Sequence, residues 1–190
     1  MAKLSTTSIV LLIIAGLVVA GVVWIWSGYN SLVRANEAVD NTWAQVETQY
    51  QRRFDLIPNL QSIVAGAADF EKSTFTAVTE ARTQWQGAGN VTEKVAAANS
   101  FDSALSRLLV TVENYPDLKA TANFADFQAQ LEGTENRVAV ARKDFNDEVR
   151  RYNVTIKVFP KNILAGMFGY EPTVFFGSTE GADEAPSVEF

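Results

Sequence analysis

The stretch IVLLIIAGLVVAGVVWIW, residues 9–26, decides the fold because it holds only apolar residues and glycine. At about 1.5 Å per helical residue it nearly spans a hydrocarbon core of roughly 30 Å, so it predicts a membrane-crossing helix. A cleaved signal peptide has a shorter apolar core and then a small-residue cleavage site, and no A-x-A sequence follows here. Trp24, Trp26 and Tyr29 close the stretch, where aromatic rings settle in the headgroup zone. We therefore expect a retained N-terminal anchor.

A helical pattern resumes directly after the anchor and runs from Tyr29 to about Ala68. After the first gap its apolar residues recur every three or four positions, which indicates one face of a helix. Pro58 lies within the pattern. It predicts a kink or break, because proline lacks an N–H donor and crowds the carbonyl four residues earlier.

Two shorter helices are predicted next. Apolar residues from Phe70 to Trp85 mark the first of them, and residues 87–90 (Gly-Ala-Gly-Asn) form a clear turn signal. The helix that follows begins at Val91 and stops before Pro116, because the residue preceding a proline disfavours the helical conformation.

The last predicted helix matches the first in length. Its apolar face runs from Phe124 to Phe159 without a skipped turn, over roughly 35 residues, and Pro160 ends or kinks it. Short connections favour antiparallel neighbours. The sequence therefore predicts an all-α fold, in which a single N-terminal transmembrane helix precedes an antiparallel up-down four-helix bundle with long first and last helices.

The chain divides into five predicted parts, namely a flank at 1–8, the span at 9–27, the bundle at 28–160, an apolar membrane-proximal segment at 161–176 and an acidic flexible tail at 177–190. The apolar segment is expected to cap the open end of the bundle, to lie in the bilayer interface or to contact another protein. The candidate membrane-proximal contacts are Trp24, Trp26, Tyr29, Phe168, Phe175 and Phe176.

The tail is acidic, lacks basic residues and is too polar to offset its ordering entropy by burial. It ends on Val188-Glu189-Phe190, with apolar residues alternating before the carboxylate. Val188 and Phe190 are therefore candidates for recognition by a domain that adds the tail as a strand. A plain solubilising tail is the alternative.

Composition narrows the chemistry of the 190-residue chain. A formal charge of −6 argues against a nucleic-acid-binding protein. The chain has no cysteine and no histidine, which removes thiolate chemistry, the commonest general base and the usual metal ligand. We expect no enzyme, no cofactor, no metal and no small-molecule substrate. A hydrolase built on two carboxylates is the remote alternative.

One polar patch can be placed by counting helical rise. Arg52 and Arg53 lie about 36–39 Å above the membrane on the first helix, nearly level with Glu135 and Asn136 on the last. The patch is then an inter-helix polar lock or a partner-docking site, unless both arginines lie on a solvated face. Its candidate residues are Arg52, Arg53, Asp55, Asn59, Glu135 and Asn136.

Several motifs in order resemble the LemA family. They are Tyr29-Asn30-x-Leu32-Val33, Gln51-Arg52-Arg53-x-Asp55-Leu56-Ile57-Pro58-Asn59-Leu60, Glu113-Asn114-Tyr115-Pro116-x-Leu118-Lys119-Ala120, Thr134-Glu135-Asn136, Ala141-Arg142, Tyr152-Asn153, Phe159-Pro160, Gly169-Tyr170 and Pro186-Ser187-Val188-Glu189-Phe190. The resemblance implies a bacterial envelope protein with one N-terminal span and an antiparallel helical domain. It implies no activity and carries over no catalytic residue.

The leading functional hypothesis is a membrane-anchored scaffold of the bacterial inner membrane that self-associates, docks partner proteins or shapes the membrane. The alternative is an adaptor that presents its tail to a protease or chaperone-type partner. Positive-inside counting, with Lys3 and the terminal amine before the span and Arg34 behind it, weakly favours a bundle outside the cytoplasm. The resemblance implies a cytoplasmic bundle, so the side of the membrane stays open.

Overall fold

The computed structural model describes residues 6–65 and 72–177, and this part of the chain contains helices and no strand. The helices are α1 (Thr6–Phe54), α2 (Ile57–Val64), α3 (Lys72–Gly87), α4 (Val91–Val112), α5 (Pro116–Lys119), α6 (Ala122–Lys157) and α7 (Lys161–Phe168). The all-α prediction is confirmed.

α1 joins the apolar stretch to the bundle without interruption. It is 49 residues long, or about 73 Å, and it is long and apolar enough at its N-terminal end to cross a membrane. The helix ends at Phe54, the residue whose carbonyl the ring of Pro58 would crowd. The predicted break is thus confirmed. Pro58 instead occupies the first turn of α2, where its missing N–H costs nothing.

α3 and α4 form a hairpin whose turn is fixed by local hydrogen bonds. The Asn90 side chain accepts a hydrogen bond from the backbone N–H of Glu93 at 2.9 Å, and the Glu93 carboxylate accepts one from the N–H of Gly89 at 2.8 Å. This reciprocal arrangement resembles a capping box, which typically stabilises a helix start by about 1 kcal/mol. The predicted turn at residues 87–90 is confirmed.

α6 confirms the long last helix, with 36 residues between the Thr121 cap and Lys157. It runs antiparallel to α1, because Lys161, just past its end, contacts Ser31 near the start of the bundle, whereas Glu135 lies beside Arg53. α4 runs parallel to α1, since Lys94 pairs with Glu47 and Asp102, further along α4, pairs with Arg53, further along α1. The bundle therefore alternates up, down, up and down.

The core of the bundle is one cluster of buried apolar side chains drawn from every long helix. Its largest fully buried members are Tyr50, Phe54, Phe101, Phe145, Leu32, Leu60, Leu108 and Leu164.

The α3–α4 hairpin covers α1 and α6 in their upper halves. Trp85, near the end of α3, packs against Trp43, which lies about 24 Å along α1 from Ser27. Below that level the two long helices are covered by α7 and by residues 169–177. We call residues 169–177 the strap. α7 ends at Phe168 and is capped by Gly169, whose φ of 74° lies in the left-handed region that suits glycine. The strap then turns back up along α6.

Candidate functional site

A polar cluster joins α1, α4 and α6 in the upper half of the bundle. Arg53 donates from Nη1 to Asp102 Oδ1 at 2.7 Å, and the hydroxyl of Tyr50 donates to Asp102 Oδ2 at 2.9 Å. Nη2 of Arg142 contacts both the Tyr50 hydroxyl and Asp102 Oδ2. One carboxylate thus serves three donors from two other helices. We call Tyr50, Arg53, Asp102 and Arg142 the polar cluster.

The polar cluster carries one more positive charge than negative charge, and Glu135, outside the cluster, lies close to the excess. Two guanidinium groups face the single carboxylate of Asp102, and Glu135 Oε2 lies 3.8 Å from Arg53 Nη2. Arg53 is only 6% exposed, so it needs a counter-charge. Glu135 is 69% exposed and is screened by water, which leaves Asp102 as the principal partner.

Tyr50 is held as a neutral phenol. Burial raises its pKa well above the ordinary range, and the negative charge of Asp102 raises it further. The nearby charges of Arg142 and Arg53 offset only part of that effect. Arg142 also lies over the ring of Tyr50, with its guanidinium carbon 5.4 Å from the ring centroid. The neutral phenol therefore donates to Asp102 and accepts from Arg142.

A groove of about 260 Å³ opens beside the polar cluster, between α4 and α6. Leu105, Leu109, Leu131 and Val138 form its apolar wall, and Arg53 and Arg142 lie at its polar end. The buried Nε atoms of both arginines have no hydrogen-bond partner among the described residues. Within the polar cluster the Asp102 carboxylate is bound by both arginines and by Tyr50, so the cluster links α1, α4 and α6.

The structure brings together part of the predicted patch. Arg53 and Glu135 are neighbours, whereas Arg52, Asp55 and Asn136 are exposed. Asn59 is also exposed and lines a separate groove of about 310 Å³ with Asn123 and Phe127. The alternative of a solvated face fails for Arg53, because α4 covers it and supplies Asp102.

Three members of the polar cluster were missed from the sequence. Tyr50 reads as an ordinary member of an apolar stripe, and Asp102 and Arg142 each follow a buried residue, Phe101 and Ala141. The sequence did contain one signal. On both α4 and α6, a charged residue lies next to the apolar stripe that forms the core. That signal identifies the residues but not their register against α1.

At the end of the bundle next to the apolar stretch, two of the predicted membrane-proximal residues contact each other. The rings of Tyr29 and Phe168 lie 4.8 Å apart, and both residues are exposed, as are Trp24 and Trp26. Phe175 is half-buried against the core.

Phe176 is placed far from the membrane end, which corrects the prediction made for it. It is buried and stacks on Trp43 at a centroid distance of 5.8 Å, because the strap climbs back along α6 after Gly169. Its ring also lies 4.7 Å from the guanidinium carbon of Arg142 and meets Phe145 edge-on. Phe176 therefore links the strap to the polar cluster.

Two asparagines on α6 hold the backbone of the strap. Asn153 donates to the carbonyl of Thr173 and accepts from its N–H, both at 2.9 Å. Asn146, two turns away, does the same for Phe176 at 3.1 and 2.9 Å. Tyr152 adds a bond from its hydroxyl to the carbonyl of Glu171. The strap is thus bound as an extended peptide, by main-chain pairing with side-chain amides.

Residues 178–190 lie outside the described part of the chain, and with them Val188 and Phe190. Over residues 6–65 and 72–177, acidic side chains form no cluster of three suited to a metal ion.

The chain matches a known family over most of its length. The sequence model of the LemA family matches residues 42–190. Magnetosome protein MamQ 2 of Paramagnetospirillum magneticum is 26% identical, over 87% of this chain and 71% of that protein. Protein LemA of Metamycoplasma hominis is 22% identical, over 80% of this chain and 69% of that protein.

Proposed function

The chain belongs to the LemA family, and from that premise we propose that it is a non-enzymatic, membrane-anchored helical scaffold of the bacterial inner membrane. The observation that carries the proposal is the continuity of α1, which runs as one helix from the apolar stretch to Phe54. A helix of this kind holds the bundle at a fixed height and tilt, as a scaffold requires.

The polar cluster supports a scaffold more than an enzyme. Its charged groups bind one another and tie three helices together at the level where the α3–α4 hairpin packs on α1. A hydrogen-bonded network across three helices stiffens the bundle. The chain also lacks cysteine and histidine, the most frequent general acid or base.

The scaffold acts by self-association through the lower outer face of α6. Val154 is exposed there near the end of α6, and Val158, the residue that caps the helix, is exposed four residues further on. Two exposed valines this close together suit contact between two copies of the chain. Another partner protein is the alternative occupant.

The mass of the detergent-extracted protein tests this proposal. Light scattering, with the detergent contribution subtracted, should give a discrete multiple of the 20.8 kDa protomer. Val154→Glu with Val158→Glu should reduce that mass to the protomer, whereas Val110→Glu, at an exposed valine of α4, should not. A wild-type protein that is a clean monomer would overturn self-association.

A second candidate, the tail-presenting adaptor, is favoured by the strap. Phe176 is anchored at the level of Trp43, about 24 Å along α1 from Ser27, so the tail would start well above the bilayer. A tail released there is accessible to a protease or chaperone-type partner. Deletion of residues 188–190 should then abolish partner binding and leave the mass of the scaffold unchanged.

A further inference from the structure

α7 lies across α1 at the level where the apolar stretch ends. The helix is eight residues, about 12 Å, long. Lys161 at its start donates to the Ser31 hydroxyl at 2.8 Å, Leu164 packs on Gly28, and Phe168 at its end meets Tyr29. These contacts span only about 4.5 Å of rise along α1. A helix of this length that ran alongside α1 would contact a longer stretch of it, so α7 crosses α1.

The close approach of α7 to α1 depends on Gly28. A Cβ atom added there would overlap the side chain of Leu164, which is buried. The contact fixes α7 directly beyond Trp24 and Trp26, at the height of the lipid headgroups next to a spanning helix.

The outer side of α7 is apolar and uncovered. Ile163 is 50% exposed and Met167 72%, at a spacing of four residues that places them on one face of α7. Phe159, which precedes the helix, is 75% exposed. Leu164 and Ala165, on the inner side of α7, are buried against the bundle. Three large apolar side chains this exposed and this close in the chain are unusual on a water-facing surface.

One exposed lysine lies close to this face in the chain. Lys157 is exposed at the end of α6, whereas Lys161 is half-buried and its ammonium binds Ser31. A short helix with large apolar residues on its outer side and a lysine nearby suits the boundary between headgroups and acyl chains, where lysine reaches anionic phosphate.

We propose that Phe159 and α7 form an interfacial helix that binds the lipid surface on the side of the membrane that carries the bundle. The occupant is lipid, because α7 is fixed beside the end of the spanning stretch, at the height of the headgroups. The inference rests on the anchored orientation proposed above and adds a second lipid contact to it. Span and interfacial helix together fix the rotation of the bundle about the axis of α1, and so determine which side of it faces the membrane.

Spin labels on single cysteines test the inference, since the chain has no cysteine of its own. Met167→Cys and Ile163→Cys report on α7, Val19→Cys on the spanning stretch and Val110→Cys on the water-exposed upper bundle. All four sites are exposed in the structure, so substitution there leaves the core intact. The full chain is reconstituted in vesicles of phosphatidylcholine and phosphatidylglycerol. Accessibility to oxygen, which concentrates in lipid, is compared with accessibility to a neutral nickel chelate, which stays in water.

The expected result is an oxygen-to-nickel ratio at Met167 and Ile163 several-fold above that at Val110, and below that at Val19. A ratio at both α7 sites equal to that at Val110, with Val19 in lipid, overturns the interfacial helix and leaves the anchor standing. Low accessibility to both probes at Met167 places a second protein there and overturns it as well. If Val19 itself lies in water, the anchor fails and so does the proposed function.

Discussion

Asp102 is the residue on which the polar cluster depends, because Tyr50, Arg53 and Arg142 all bind its carboxylate. Asp102→Asn keeps the size of the side chain and removes the charge, leaving the buried guanidinium of Arg53 with only the exposed Glu135 nearby. Breaking a buried ion pair on one side costs about 3–5 kcal/mol. Because the Asp102 side chain is 24% exposed, we expect the low end of that range, a loss of about 3 kcal/mol in the free energy of unfolding. Urea denaturation followed by circular dichroism measures it.

Asp147→Asn is the matched control for that experiment. Asp147 pairs with Lys143 and Arg150 on the outer face of α6, where solvent screens the charges. Its loss should change stability by less than about 1 kcal/mol. Equal effects of the two substitutions would show that the polar cluster does not hold the helices together.

Tyr50 gives the polar cluster a signature at alkaline pH. Its pKa is raised by burial and by Asp102, so in the folded protein the phenol stays neutral above its ordinary pKa of about 10. Below that pH neither state loses the proton and the stabilisation is complete. As pH rises further, the unfolded chain releases the proton while the folded chain retains it, so stability falls.

Tyr50→Phe should remove this decline and lower stability at neutral pH by about 1–2 kcal/mol, the contribution of its hydrogen bond. The pKa of Tyr152 is also raised, mainly by burial, but that residue is present in both proteins and cancels in the difference. Urea midpoints measured from neutral pH to about pH 11 should therefore converge for the two proteins. Parallel curves would refute the role assigned to Tyr50.

From the sequence we could predict only the part of this site that follows from counting residues along a helix. Counting residues placed Arg53 level with Glu135, because α1 and α6 are long, straight and antiparallel. Asp102 could not be placed in this way. The register of α4 against α1 depends on how the α3–α4 hairpin packs through Trp85, and pattern alone does not give that register.

At the scale of elements, the strap depends on two asparagines that act as main-chain partners. Asn146→Ala with Asn153→Ala removes four hydrogen bonds to Thr173 and Phe176. Each bond contributes about 1 kcal/mol, and the four losses are not additive. We therefore expect amide exchange at these two positions to accelerate by roughly 30-fold or more. Hydrogen–deuterium exchange followed by mass spectrometry resolves the strap peptide from α6.

Asn136→Ala provides the control on the same helix, because Asn136 is exposed. It should leave exchange in the strap unchanged. If the double variant also exchanges at the wild-type rate, Phe176 and its aromatic neighbours hold the strap without the asparagines.

The helices were predictable and the strap was not. α6 and the break at Pro58 follow from periodicity and proline geometry, which act within a few residues of one another. The sequence shows that Phe176 is apolar, but its partner Trp43 lies far away in the chain. The space that Phe176 fills exists only because the α3–α4 hairpin stops at Trp43.

At the scale of the whole molecule, the unbroken α1 ties the tilt of the bundle to the tilt of its anchor. Spanning helices tilt by about 20° on average and rarely beyond 40°. An anchored bundle must therefore stand upright, with heights set by helical rise. From Ser27 we place Glu37 at about 15 Å, Val140 at about 32 Å and Val110 at about 51 Å above the end of the span.

Energy transfer to the bilayer surface tests this order. Donor dyes on Glu37→Cys, Val140→Cys and Val110→Cys, all exposed positions, are paired with acceptor dyes on lipid headgroups. Transfer efficiency should fall steadily from Glu37 to Val140 to Val110, because a tilt of 40° shortens every height by about a quarter and keeps their order. Equal efficiencies at Val140 and Val110 would mean that the bundle lies on the membrane, which requires α1 to bend where the structure shows one continuous helix.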